Sequence, residues 1–448
     1  MSNVRSFGAK GDGRSDDSAA IRHAVEKAAD GVLEFPRGDF LLRRTVEVRL
    51  AEHGRIALVG NGVGRVVMAG PGPAFRFVGT HTKNADPISF APGVWQNERM
   101  PLLEGLEVVG AHPEADGVEF VRVMQPTLIG VLIREVRHGV RFAERNRNVL
   151  LDSCHVYNCR GVGVFLDRVN LHQAIIHGCH ISYCKGGGVK VVGGEIRNLH
   201  ITGNDIEYNF DPAAKESADV WVEAGDGGVR EGSIVGNTIQ AKVSPGGANV
   251  RLVGPADVNK VSMWTISANH ISNQAVNVHL KNCRGVVLTG NSVALSGERN
   301  VLVEGGRHVV IGPHSFDHNP DYRQETTDGI TLRGCDGCAV TGALLEGSRA
   351  GSEKAGGALE VIDCREVSVV GCEVFEPKYR GIYVADSRNT RVADCTVVDR
   401  AGGGMLAAIE VAGRSPGTLL RGNIVGKGTR GDVVAPGATL EGNRPAAT

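Results

Sequence analysis

Trp221 stands between two carboxylates, Asp219 two residues before it and Glu223 two residues after it. On an extended strand, residues two apart share a face, so an indole and two acids would project together. A strand advances ~6.6 Å over two residues, which can carry the two carboxylates beyond the ~5 to 9 Å of paired acids that cleave acetals unless the strand ends bend together. Glu207, Asp205 and Asp211 precede Trp221 and form the densest acidic cluster near it. Such acids suit hydrolysis, in which one carboxyl group protonates a leaving oxygen while another activates water or attacks carbon. Arg141, Lys190 and Arg251, with His279 and His180, suit a different reaction. There a cation neutralises a substrate carboxylate and a base removes the adjacent proton, sometimes with Ca²⁺ held by acids.

What would bring these residues onto one surface is a repeat of about 25 residues. Cys154-His155-Val156-Tyr157-Asn158-Cys159 recurs as Cys179-His180-Ile181-Ser182-Tyr183-Cys184, and a third copy, Asn204-Asp205-Ile206-Glu207-Tyr208-Asn209, follows at the same interval. The phrase Val-x-Gly-(Asn/Cys)-x-(Ile/Val) has its fourth, anchor position at Val131, Cys154, Cys179, Asn204, Asn237, Asn269, Asn291, Pro313, Ala343, Cys372, Cys395, Asn423 and Asn443. Spacings of 20 to 33 residues are too short for repeated strand-helix-strand units and sufficient for one turn of three short strands. A second run, such as Gly188-Val189-Lys190-Val191 or Asn277-Val278-His279-Leu280, alternates apolar and variable residues, which turns Val, Ile and Leu inward. Such units cannot bury their apolar residues alone and must stack. The expected fold is all-β, a parallel solenoid whose dozen or so coils, ~4.8 Å apart, make a rod on the order of 60 Å long.

Stacking in register predicts two outward columns. One place after the anchors stand His155, His180, Asp205, Thr238, His270, Ser292 and His314; on the second run stand Glu119, Arg141, Phe165, Lys190, Trp221, Arg251 and His279, then Thr331, Glu360 and Tyr383. Neighbours in a column lie only ~5 Å apart. Arg141, Lys190 and Arg251 would repel one another unless an anion lay over them, and Phe165 and Trp221 offer flat faces to pyranose rings. The second column is therefore the expected sugar groove, weighed against the plainer reading in which exposed strand charges are simply solvated.

A net charge of −1 withholds the basic field that nucleic-acid and anionic-membrane binding draw on. No apolar stretch approaches the ~20 residues of a membrane span, and the chain opens without a basic-then-apolar leader. It reads as soluble, with its compartment open: secreted or periplasmic if a leader has been removed, otherwise cytoplasmic. Of ten cysteines, Cys154, Cys179, Cys372 and Cys395 occupy anchors, while Cys283, Cys335 and Cys364 each precede an anchor by 8 residues. They read as rungs of internal ladders. Cys335-Asp336-Gly337-Cys338 has metal or redox spacing without a second ligand pair, so no metal is expected; unpaired thiols lean toward a reducing compartment.

Asp16 and Asp17 are placed to cap a helix with Ala20, Ile21, Ala24, Val25 and Ala28 on one face, covering the open end of the first coil. Ser6-Phe7-Gly8-Ala9-Lys10-Gly11-Asp12-Gly13, then Asp16-Asp17-Ser18-Ala19-Ala20-Ile21 and Phe35-Pro36-Arg37-Gly38-Asp39-Phe40, resemble the N-terminal signature of the pectate-lyase-like superfamily. That superfamily holds polygalacturonase-type hydrolases, rhamnogalacturonases, lyases, epimerases and phage tailspikes. The resemblance implies a right-handed parallel β-helix, with residues 1–45 as a capping segment and 46–448 as the solenoid of a single domain. It does not imply one reaction. Thr327-Asp328-Gly329-Ile330 is similar to the strand that carries a catalytic aspartate in polygalacturonases, but no Asp-Asp pair, Gly-His-Gly or Arg-Ile-Lys follows, so Asp328 is read as bonding its own turn. Phe316-Asp317-His318-Asn319-Pro320-Asp321-Tyr322-Arg323 breaks the repeat and reads as a protruding loop.

These readings lead to an enzyme that cleaves glycosidic bonds of a polysaccharide or oligosaccharide, an anionic one on account of the cations. Asp219, Glu223, Glu207 and Asp205 are the candidate acids and bases; Trp221, Lys190, Arg251, Arg141, His279 and His180 are the candidate substrate contacts. Hydrolysis is set ahead of β-elimination, no cofactor is expected, and Ca²⁺ enters only with elimination. Neither nucleic acid nor a membrane is an expected partner. A non-catalytic glycan-binding or tailspike-like solenoid, a homotrimer packed through a flat face, is the alternative from another class. An intramolecular transferase or epimerase similar to the inulin fructotransferases is a third.

Overall fold

The computed structural model describes residues 2–82, 86–317, 319–402 and 404–447. Two compact units divide the chain, residues 1–211 with 217–233 and residues 212–216 with 234–448. Each is built of parallel coils that give strands to three files. In the first unit one file contains Leu132–Arg134, His155–Tyr157, His180–Ser182 and Asp205–Glu207. Its register sets Leu132 opposite His155, His155 opposite His180, and His180 opposite Asp205. A second file runs from Val46–Arg49 and Gly72–Val78 through the early parts of Ala115–Met124, Val140–Asp152 and Val162–His177 to Gly187–Val192 and Ser217–Glu223. The third takes the later parts of the two longest strands and continues as Glu195–Thr202 and Gly228–Val235. The second unit repeats the plan, with Thr238–Gln240, His270–Ser272 and Ser292–Ala294 in its first file and Gly247–Val253, Val276–Lys281 and Arg299–Glu304 in its second.

The period-two pattern produces the core. Leu166, Val191 and Val222 face one another in register and are buried, as are Val164, Val189 and Val220. Each such side chain contributes about 1.5–3 kcal/mol on burial. Where the second file starts, Phe77, Phe120 and Phe142 stack with centroids 5.1 and 5.4 Å apart.

Bends between strands leave backbone groups that no strand ladder satisfies, and side chains of the next coil satisfy them. Cys179 N donates to Asn204 Oδ1 at 2.9 Å, Asn237 N to Asn269 Oδ1 at 2.9 Å, and Asn269 N to Asn291 Oδ1 at 3.0 Å. The same relay joins Cys395 to Asn423 and Asn423 to Asn443. This explains the anchor residues, with one correction: Pro313 is not an anchor. His314 takes that place, 6% exposed, with Nδ1 accepting from Asn291 N at 3.0 Å, and Ser315 rather than His314 stands opposite Ser292. An imidazole nitrogen serves as acceptor in place of the amide oxygen, one residue later than the phrase suggests. The cysteines form the expected rungs: Cys335 N donates to Cys364 Sγ at 3.3 Å and Cys364 N to Ser387 Oγ at 3.0 Å, and all ten thiols are buried and free.

The helix Ser18–Lys27 buries Ile21, Ala24 and Val25 and packs on Val46–Arg49. Its cap differs from expectation. Asp17 stands at the N-cap position, but its carboxylate accepts from Lys10 N at 2.6 Å and Gly11 N at 3.0 Å, while Asp16 bonds Ser18 N at 3.0 Å. The glycine-rich signature is thus a turn closed by Asp17. Residues before 46 also contribute strands, since Val32–Glu34 and Gly38–Leu42 pair in parallel with Ala57–Met68.

Replacing Asn269 with Ala strips partners from Asn237 N and Ile234 O; the expected loss is about 1–3 kcal/mol, read as a lower urea midpoint, and an unchanged midpoint would contradict the ladder. Burial moves His314 from 6.5 down to about 4. Between those values the unfolded chain binds a proton that the folded chain does not, so this stability is present above the unfolded value and is lost as pH falls through the folded one. The urea midpoint of His314→Asn should therefore fall less than that of the parent between about pH 7 and about pH 4.5.

Candidate functional site

Register makes the second-file column real. In the first unit Glu119 stands opposite Arg141, Arg141 opposite Phe165, Phe165 opposite Lys190, and Lys190 opposite Trp221. The column begins earlier than expected, with Glu47 opposite Arg76 and Arg76 opposite Glu119. In the second unit Arg251 is opposite His279 and His279 opposite Leu302, followed by Thr331, Glu360 and Tyr383.

The protein itself supplies the anions that these cations call for. Arg141 lies between Glu119 and Asp167, with Nη2 2.5 Å from Asp167 Oδ2, and Arg76 pairs with the same Glu119. Arg251 is 5% exposed, and its Nη1 donates to Glu216 Oε1 at 2.8 Å and Nη2 to Gly246 O at 2.5 Å. His279 Nε2 is 2.9 Å from Glu304 Oε2; burial holds this imidazole below its ordinary range, against the pull of the carboxylate. Alternating sign thus removes the repulsion implied by the cations alone. Lys190 is placed differently: its Nζ lies 3.5 Å from the centroid of the half-buried Trp221 ring, a cation–π contact of roughly 0.5–2 kcal/mol that covers one indole face.

The acids flanking Trp221 separate. Asp219 is 1% exposed and its Oδ1 accepts from Asn209 N at 2.9 Å and Asn209 Nδ2 at 3.1 Å, so it braces a bend. The position two before the column residue is Asn249, Asn277 and Asn300 in the second unit, all buried, and that recurrence is the sequence signal for such a role. Glu223 is exposed at the strand end.

The first file draws acids together instead. His180, Asp205 and Glu207 each place one ligand atom within 4.8 Å of the other two, with His180 Nε2 3.4 Å from Asp205 Oδ2. Among the described residues Asp205 Oδ1 has no hydrogen-bond partner, and the His155 ring stands 6.0 Å from that of His180. Immediately after this file, Tyr183 and Tyr208 stack at 5.5 Å with an 11° interplanar angle. Both hold φ near the left-handed helical value, 57° and 54°, where Asn158 stands one coil earlier with φ 55°. The same backbone value recurs at other corners, for example at Ser153, Asn273 and Leu295, so it belongs to the coil and not to the tyrosines alone. The repeat alignment places both tyrosines, but alignment does not reveal that their rings meet. Calcium takes roughly six to eight oxygens, and one imidazole with two carboxylates does not fit it.

Asp328 is 4% exposed, and it bonds Ser296 N at 2.8 Å and Thr326 Oγ1 at 2.5 Å. It ties its own turn to another coil. Phe316 belongs to the buried strand His314–Phe316, so the irregular segment starts at Asp317; His318 lies outside the described residues.

The family model for the right handed beta helix region matches residues 94–239 and 256–428, and the chain belongs to that family. A second model, rhamnogalacturonase A/epimerase, pectate lyase-like, matches residues 1–101. No curated protein matches the chain. Among solved structures, the pre-mature gene product 12 of bacteriophage phi29 is 13% identical, with 100% of this chain and 57% of that one covered and a TM-score of 0.52. Its N-terminal fragment is 13% identical over 97% and 71%, with a TM-score of 0.51. The A-module of an Azotobacter vinelandii mannuronan C-5 epimerase is 13% identical over 100% and 98%, with a TM-score of 0.35. The chain spans 58% of a matched Geobacillus virus protein and 57% of gene product 12, less than two thirds of either. The likeness to gene product 12 is one of fold.

Asp219→Ala should lower the thermal midpoint by several degrees, since it leaves Asn209 N unpaired. Glu223→Gln, at an exposed strand end, should leave the midpoint unchanged, and equal effects would contradict the separation of the two acids.

Proposed function

We propose that the chain cleaves glycosidic bonds of an anionic polysaccharide or oligosaccharide by acid/base hydrolysis at the first file of its first unit. The observation that carries this reading is the convergence of Asp205, Glu207 and His180 within 4.8 Å, next to the stacked tyrosines. Acids this close suit the ~5 Å geometry in which one carboxylate attacks the anomeric carbon, rather than the wider gap that admits water between them. In this scheme Glu207 protonates the glycosidic oxygen as the carbon–oxygen bond breaks, and Asp205 bonds to the anomeric carbon. Water then gives its proton to Glu207 and displaces Asp205, releasing the sugar. His180 orients Asp205, and the Tyr183 and Tyr208 rings pack against the sugar face. On the second file, Lys190 and Trp221 offer a cation and an aromatic surface to an acidic sugar. The rhamnogalacturonase A/epimerase likeness of residues 1–101 supports the carbohydrate class.

Incubation with a panel of neutral and uronate oligosaccharides should release new reducing ends from at least one member, and Asp205→Asn or Glu207→Gln should slow that release at least about a hundredfold. Ultraviolet-absorbing unsaturated products would replace hydrolysis with β-elimination. Binding without turnover would make the chain a glycan-binding solenoid, and silence across the panel would overturn the proposal.

A further inference from the structure

Outside the regular coils, the first unit carries a second aromatic surface. The short helix Pro92–Asn97 presents Trp95, 43% exposed, and the Phe90 ring stacks on it with centroids 6.3 Å apart and a 28° interplanar angle. Phe90 is braced edge-on by buried His81 at 5.2 Å. The Arg147 guanidinium lies 5.0 Å from the Phe90 centroid and is itself steadied by His172, its Nη1 3.1 Å from Nδ1. Between these groups opens a pocket of about 390 Å³, lined by Phe90, Pro92, Trp95, Gln96, Arg147 and Asn148.

That lining has one chemistry. Phe90 and Trp95, each also met by a guanidinium (Arg147 at 5.0 Å from the first ring and Arg99 at 5.7 Å from the second), join Pro92 in an apolar lining of the kind that packs against the carbon–hydrogen face of a pyranose. The amide of Gln96 supplies a hydroxyl partner, while the Asn148 Oδ1 is buried and has no hydrogen-bond partner among the described residues. Among the described residues one guanidinium and no carboxylate line the pocket, which gives an acidic ring a charged partner that a neutral ring cannot use. The volume falls within the range of small-ligand sites, and the bracing of Phe90 and Arg147 means that little ordering is needed on binding.

We propose that this pocket is a subsite for a uronate ring of a glycan, built apart from the His180–Asp205–Glu207 cluster. The inference shares with the proposed function the carbohydrate class of the ligand and none of its reacting residues. Trp264 is buried in the core, so a protein carrying Trp221→Phe reports ligand at Trp95 by fluorescence, and Glu207→Gln in the same chain prevents turnover. Titration with galacturonate and mannuronate hexamers should give a saturable emission change with at least one of them. Arg147→Gln should raise the half-saturating concentration at least about tenfold, and maltohexaose, of equal length without charge, should bind at least about tenfold more weakly than the responding uronate. Gln96→Ala, with unchanged circular dichroism, should weaken binding in the same direction. No saturable response to either uronate, an equal response to maltohexaose, or indifference to Arg147→Gln would each overturn the subsite. Absence of reducing-end release from the unaltered protein, with this titration intact, would sink the hydrolytic reading alone.

Discussion

The structure depends on a backbone accounting problem solved at the bends. Strand groups in a parallel coil find partners above and below without help, but a sharp corner turns amide N–H groups away from any ladder, and a buried unpaired amide costs about 1–3 kcal/mol. Some corner amides find a backbone carbonyl of the next coil, and others are answered by a side chain from it: Asn204 for Cys179, Asn291 for Asn269, His314 for Asn291, Ser387 for Cys364. A slip of one residue would break that bond and turn the apolar residues of the strand outward. Register is therefore pinned at these turns, and residues about 25 positions apart become neighbours across a strand spacing.

That enforced proximity governs the surface as well. A column of side chains about 5 Å apart cannot carry one sign of charge without a counterweight, and the second file resolves this by interleaving Arg76, Glu119 and Arg141, with Asp167 from the strand that carries Phe165. Most of the charged residues are thereby committed to one another. Chemistry has room where this mutual pairing leaves groups over: at the stacked tyrosines, at the carboxylates of the first file, and at the excursion bearing Phe90 and Trp95.

The fold was legible because period and anchor both repeat. Core columns, strand files and cysteine rungs follow from the phrase itself, and the outward columns follow from them. What escaped was anything set by side-chain conformation rather than by position. Asp219 shares the spacing of Trp221 and yet is buried, because its carboxylate turns to the Asn209 amide. Arg141 finds one acid, Glu119, within the column, but its second, Asp167, and the partner of Arg251, Glu216, lie outside it. His314 replaces an asparagine by a different acceptor atom, which a residue-type phrase does not recognise.

The buried thiols have a consequence for how the molecule can be interrogated. They are distributed through both units, from Cys154 to Cys395, and none is bridged. A water-borne alkylating reagent reaches such a sulfur only when its coil parts from the next. The chain therefore carries its own set of gauges, spaced along the winding, that would register where the stack first comes undone.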